Sequence, residues 1–164
     1  MDTAPTPAAR PVVVPPSGGT ALAAFGERVL VKLGGVETRN QFTAWVETTP
    51  PGGGPPPHHH DAEDELFLVL AGRVEFLVDG AWVEPGEGAV VYIPRGNVHA
   101  FRNAGPSDVR MFILTTPSGF ETFFGRCADE FAKPGGPDMP AVLAISAGHG
   151  IHFVPPPAAT TSPA

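Results

Sequence analysis

The 164-residue chain holds 17 Asp and Glu against 10 Lys and Arg. The resulting net charge of −7 argues against a nucleic-acid or anionic-membrane surface. The length suits one domain with one core, and a lone cysteine, Cys127, excludes an internal disulfide framework.

Residues 1–10 are rich in Pro, Ala and Thr, and are expected to be disordered. Neither a basic start nor an apolar signal-peptide core is visible there, and no apolar run approaches transmembrane length. With the single thiol, this reads as a cytoplasmic protein. The 20 glycines and 21 prolines favour short strands and turns over long helices. Residues 11–14 form a short extended arm, and residues 21–25 and 28–33 are candidate strands. Residues 42–48 are β-branched and aromatic, and lead as a strand into the run Pro51-Gly52-Gly53-Gly54-Pro55-Pro56-Pro57.

That run is too stiff and too broken for a helix. If the following His58-His59-His60 is extended, His58 and His60 share one face and His59 takes the other. Residues 65–70 read as a buried strand headed by Glu65, which can turn inward beside the two imidazoles. Asp79-Gly80 between strand-like residues 73–78 and 81–83 signals a hairpin, because both central positions of a type I′ turn need positive φ. Residues 90–93 form a strand stopped by Pro94; residues 98–102 return the chain and carry His99. Residues 109–114 are the last strong strand. If Glu65 and His99 point inward, so do Phe67, Val69 and Phe101, which would wall a pocket.

From residue 117 the period changes. Apolar residues at 120, 123, 124, 127, 128 and 131 make a helical stripe, with Ser118 as its expected N-cap and Cys127 as a packed thiol. Residues 140–147 suit a second short helix, with Pro140 in its first turn and Gly148 at its end. Such helices pack on the exterior of a barrel more often than over its mouth. Residues 151–154 are extended, and residues 155–164 read as a disordered tail. His149 and His152 are read as structural or solvent-facing.

Two long spaced patterns give the chain a family likeness. Gly52, His58, His60, Glu65 and Gly72 meet every spacing of the first cupin motif. Gly88, Pro94, Gly96, His99 and Asn103 meet the second. The chain therefore resembles the cupin superfamily, closely over residues 42–114. The resemblance implies an all-β fold, a double-stranded β-helix or jelly-roll barrel over residues 11–116, with a short C-terminal helical extension over residues 117–154. It implies one divalent transition-metal ion (Fe, Ni, Co, Mn, Cu or Zn) held by His58, His60, Glu65 and His99, a donor set that suits any of these. It also implies a homodimer, with the N-terminal arm packed on a neighbouring subunit.

Among cupins the chain looks most like small single-domain proteins related to bacterial quercetin 2,3-dioxygenases. That implies a dioxygenase acting on a small aromatic, flavonol-like or enolisable substrate with O2, Glu65 serving as ligand and base. An isomerase or lyase that polarises a carbonyl without oxygen is the alternative, and a non-catalytic small-molecule-binding cupin is a third. His59 is expected on the outer face, Arg95 in solvent at a turn, and Asn103 in a strand-end hydrogen bond.

Overall fold

The computed structural model describes residues 10–155; most of the expected disordered start and tail lie outside them. The strands are β1 (Thr20–Ala24), β2 (Glu27–Leu33), β3 (Thr43–Thr49), β4 (His58–His60), β5 (Asp64–Ala71), β6 (Val74–Val78), β7 (Ala81–Val83), β8 (Val90–Ile93), β9 (Ala100–Asn103), β10 (Val109–Thr116) and β11 (Ile151–Phe153). The helices are α1 (Gly35–Thr38), α2 (Phe120–Phe131) and α3 (Met139–Gly148).

One antiparallel sheet has the order β1-β2-β3-β10-β5-β8. A second face is assembled from β7-β6-β9 and from β4 paired with β11. An isolated antiparallel bridge joins these two pieces, with His58 and His99 exchanging backbone hydrogen bonds of 2.9 Å in both directions. The result is a double-stranded β-helix with two packed faces. Its core alternates as period-2 strands require: Glu65, Phe67 and Val69 are buried on β5, while Leu66 and Leu68 between them are only half-buried. Asp79 and Gly80 have φ of 50° and 77°, the positive values the hairpin turn needs.

The loop before the histidines runs close to β9. Gly54, at φ 133°, sits where an added Cβ would meet the Phe101 carbonyl oxygen at 2.1 Å, so this approach admits only glycine. On the outer face of the large sheet, β10 Phe112 pairs with Val46 and Leu68, and Leu68 with Val90; Leu114 pairs with Leu66, and Leu66 with Tyr92. Val90 and Tyr92 on this apolar grid are 58% and 56% exposed.

The structure adds one element and changes two expectations. Four residues after β2 form the short turn of helix α1, where a Glu37 carboxylate accepts the Gly34 N–H at 2.9 Å. The N-cap of α2 is Gly119, at φ 143°, rather than Ser118. Its N–H donates to Glu121 Oε2 at 3.1 Å, so a side chain of the first turn takes over the capping task. And α2 does not merely cover the exterior, because Phe120, Phe123 and Phe124 line the cavity, Phe120 stacked on Trp45 and Phe124 edge-on to it. Cys127 is fully buried, and burial pushes its thiol up to about 11, which leaves it a packing residue.

Glu121 is the fastener of α2. It accepts the Gly35 N–H at 2.7 Å, the Gly119 N–H and the Thr43 hydroxyl, tying helix, β3 and α1 together. Burial raises its carboxyl, but these hydrogen bonds outweigh that and hold it below the ordinary range. Glu121→Ala should cost about 1 kcal/mol in urea unfolding at neutral pH, the lost bonds being partly replaced by water. A carboxyl depressed in the folded state stabilises above its unfolded value and loses that contribution as pH falls. The gap between the two proteins should therefore close in acid; an equal midpoint at neutral pH would contradict this role.

Candidate metal centre and its cavity

Both motifs deliver side chains to the same end of the barrel. β4 presents His58 and His60 inward and His59 outward, as extended backbone must. β5 presents Glu65 at its head. The bridge at His58 sets His99 directly opposite. All four side chains are buried, and one nitrogen or oxygen of each lies within 4.8 Å of those of the others. The imidazole centroids are 4.4 Å apart for His58 and His99, 5.0 Å for His58 and His60, and 5.1 Å for His60 and His99.

The hydrogen bonds behind the rings orient them. His58 Nδ1 donates to the Pro56 carbonyl at 2.9 Å, and His99 Nδ1 to the Asn97 carbonyl at 3.0 Å. Both Nε2 atoms thereby face the centre, where that of His99 meets Glu65, the arrangement seen when a second partner fixes the orientation of a ligating histidine. His60, 2% exposed, has no hydrogen-bond partner on either ring nitrogen. A buried imidazole without a partner is costly unless something binds it.

Electrostatics favour the same use. Burial, reinforced by the neighbouring imidazoles, drives His58 down to about 3 and His60 to about 2, so both stay neutral and keep their lone pairs. Burial also pulls His99 down, but its hydrogen bond and attraction to Glu65 raise it on balance. The short contact is His99 Nε2 to Glu65 Oε2, 3.0 Å; His60 Nε2 lies 3.9 Å from the same oxygen. Three imidazoles around one carboxylate form a donor set that fits a divalent first-row ion, which would stand in for the proton between His99 and Glu65.

The C-terminal strand holds this arrangement in place. β11 pairs with β4 so that Ile151 faces His60, His152 faces His59 and Phe153 faces His58. Outside, His152 Nε2 contacts Asp61 at 2.7 Å, and its ring lies 5.1 Å from His59. His59 and His152 are thus a clip on the outer side of the histidine strand. Arg95 is engaged by Asp64, through its backbone N–H at 2.9 Å and its guanidinium at 2.9 and 3.1 Å, which anchors the residue next to Glu65. Asn103 donates to the Thr49 and Ser107 carbonyls and accepts from Gly105, closing the end of β9.

A cavity of about 350 Å³ opens onto the cluster. Phe67 and Phe101 line it. Val69 does not: at 1% exposure it is packed in the core, two residues further along β5, past the end of the cavity. Its place on the wall is taken by aromatic residues of β3 and α2. Phe120 stacks on Trp45 with centroids 5.4 Å apart and planes at 9°, and lies 5.1 Å from His60.

Glu27 and Glu47 also line this cavity, 7% and 3% exposed. Glu47 Oε2 accepts the Trp45 indole N–H at 3.0 Å, and Thr49 Oγ1 lies 3.2 Å from Glu27 and 3.3 Å from Glu47. Burial, then repulsion from Glu47, pushes Glu27 up; burial pushes Glu47 up against the pull of Trp45. The signal for Glu47 was present in the sequence, since it shares the inward parity of Thr43 and Trp45 on β3. Glu27 lies one residue before the strand expected from residue 28.

Comparisons with known proteins agree with this geometry. Residues 45–115 match the cupin domain family. Three solved structures share the fold. A predicted oxalate decarboxylase from Thermotoga maritima is 23% identical, with TM-score 0.59 over 65% of this chain and 99% of that one. The polyketide cyclase RemF from Streptomyces resistomycificus is 22% identical, with TM-score 0.57 over 66% and 81%. KdgF from a Halomonas species is 18% identical, with TM-score 0.53 over 59% and 85%. An uncharacterized protein of Streptomyces coelicolor is 33% identical over 56 residues, 34% of this chain and 52% of that one, so the match spans about half the length of that relative. Residues 45–115 are thus similar to the cupin domain family, and the chain has the fold of these structures. Among the described residues no helix is long and apolar enough to cross a membrane.

The carboxyl pair makes a pH prediction. Groups raised in the folded state contribute fully below their unfolded values and lose that contribution as pH rises through the folded ones. Unfolding free energy should therefore decline as pH climbs above the ordinary carboxylate range, and Glu27→Gln should flatten the decline. Parallel pH profiles for the two proteins would contradict the assignment.

Proposed function

We propose that the protein is a metal-dependent cupin dioxygenase acting on a small, flat, hydroxylated aromatic or enolisable substrate. The observation that carries this reading is a largely aromatic cavity that ends on three imidazoles and one carboxylate. His58, His60, His99 and Glu65 would hold one divalent ion. Such an ion would supply Lewis acidity toward a substrate oxygen and, if redox-active, a route to O2 chemistry. The aromatic wall, in which Trp45 and Phe120 stack on each other, suits a flat apolar ligand. Glu65, whose carboxylate already takes a hydrogen bond from His99, would accept the proton of the substrate's enolic or phenolic hydroxyl, leaving the substrate as its anion.

A second reading is favoured by one specific observation, the Glu27–Glu47 pair in the same cavity. Two carboxyl groups that share protons could move one between carbons, so isomerase or lyase chemistry without oxygen is the alternative. The oxalate decarboxylase-like and cyclase structures show that the fold is compatible with varied chemistry, and fold alone does not choose between the two.

We also assign the apolar outer grid of the large sheet to a second copy of this chain, since exposed contiguous apolar surface of this kind marks an interaction site.

Purified protein should contain about one equivalent of a first-row metal by elemental mass spectrometry, and His99→Ala should lose most of it. The loaded protein should consume O2 with flavonols. Metal without oxygen uptake, but with turnover of an enolisable carbonyl substrate, would select the isomerase or lyase reading; no metal after reconstitution would overturn both. Sedimentation equilibrium should give a dimer, and Tyr92→Glu with Leu68→Glu should give a monomer. A monomeric wild type would refute the assigned interface.

A further inference from the structure

We propose that Glu27 and Glu47 form a second ligand-binding site in the cavity, an acceptor for a phenolic O–H or aryl N–H at the end of a flat aromatic ligand whose other end faces the histidines. The proposal rests on the function proposed above only for that other end.

The pair is poorly explained as mere packing. Two carboxyl groups present four oxygens, and the protein offers them few hydrogens. Trp45 supplies one indole N–H, to Glu47. Thr49 supplies one hydroxyl hydrogen, placed between Glu27 and Glu47, so it serves one of them at a time. Among the described residues no Lys, Arg or His forms an ion pair with either. A proton shared within the pair relieves the repulsion but leaves acceptor capacity unmet. Apolar side chains of the same volume would fill the space at lower cost.

A second observation points to a ligand in this cavity. His60, nine-tenths buried and lining the same space, has both ring nitrogens without a partner. The cavity is therefore polar at two places, unpartnered at His60 and with spare acceptor lone pairs at the carboxyl pair, with aromatic walls between. Strand register separates them. Glu65 lies opposite Thr115, and Thr115 opposite Thr43. Glu47 is four residues further along β3, ~13 Å of strand. Trp45, on the inward row between, forms an aromatic wall of the path together with the Phe120 ring stacked on it. A ligand that reaches from the histidines along Trp45 meets the carboxyl pair with its far edge, where only a hydrogen-bond donor is welcome.

The test is isothermal titration calorimetry of the metal-stripped full chain with 2-naphthol and with 2-methylnaphthalene, which differ in the donor and little in shape. Wild type should prefer 2-naphthol by about tenfold or more, as a hydrogen bond to an ionised acceptor implies. Glu47→Gln should reduce the preference to about threefold or less, because the acceptor loses its charge. A preference that appears only after metal is restored would overturn this proposal, assign the donor to the ion and leave the metal reading standing. Equal affinities in wild type, no binding of either probe, or an unchanged preference in Glu47→Gln would each overturn it too. If the chain binds no metal yet keeps the preference, the carboxyl site stands and the dioxygenase reading falls. Infrared spectra of wild type need no variant: the protonated-carboxyl band should shift with 2-naphthol and not with 2-methylnaphthalene, and an unmoved band would overturn the proposal.

Discussion

Two backbone hydrogen bonds between His58 and His99 hold the site together. They bring the strand with the paired histidines against the start of β9, so that residues 41 positions apart face each other across one bridge. Everything chemical depends on that pairing. Shift it by one residue and His99 turns outward with the rest of its strand. The neighbouring structure defends the register from both sides: β11 pairs with the other edge of β4, the Gly96 N–H donates to the His60 carbonyl at 2.7 Å, and Gly54 lets the loop lie against Phe101.

The second constraint is burial. Imidazoles buried among aromatics remain neutral, and neutral imidazole is the form that donates a lone pair to a metal. The same burial is costly for carboxylates, which explains why Glu65 leans on His99 and why Glu27 and Glu47 hold on to protons. One physical cause thus works in opposite directions in one cavity, holding His58 and His60 neutral and favouring the protonated form of the Glu27–Glu47 pair. The helix α2 maintains that condition, and Glu121 fastens α2 to the barrel.

Much of this was legible in the sequence because it was periodic or spaced. Inward alternation placed Phe67 and Phe101, and Asp79-Gly80 marked its own turn. The two motifs put the four donors in order, because their spacing follows from strand geometry. What was not legible came from contacts between distant segments. Nothing local says that β11 will clip β4, or that the aromatic stripe of α2 will face the mouth. Val69 has the correct parity for the wall but lies too far along the strand, since parity fixes the face and not the depth. Glu47 had the inward parity of Thr43 and Trp45, but its meaning came only when Glu27 was folded against it. Gly119 displaced Ser118 as the cap because Glu121 supplies the missing acceptor from inside the helix.

The account centres on one ion bound by three Nε2 atoms and a Glu65 oxygen. X-ray absorption spectroscopy of the metal-reconstituted chain tests that claim most directly. It should show three imidazoles and one carboxylate oxygen, with metal–ligand distances of about 2.0–2.2 Å. The imidazole scattering should diminish by one ring in His60→Ala. A metal environment of oxygen ligands alone, or one unchanged by that substitution, would contradict the account.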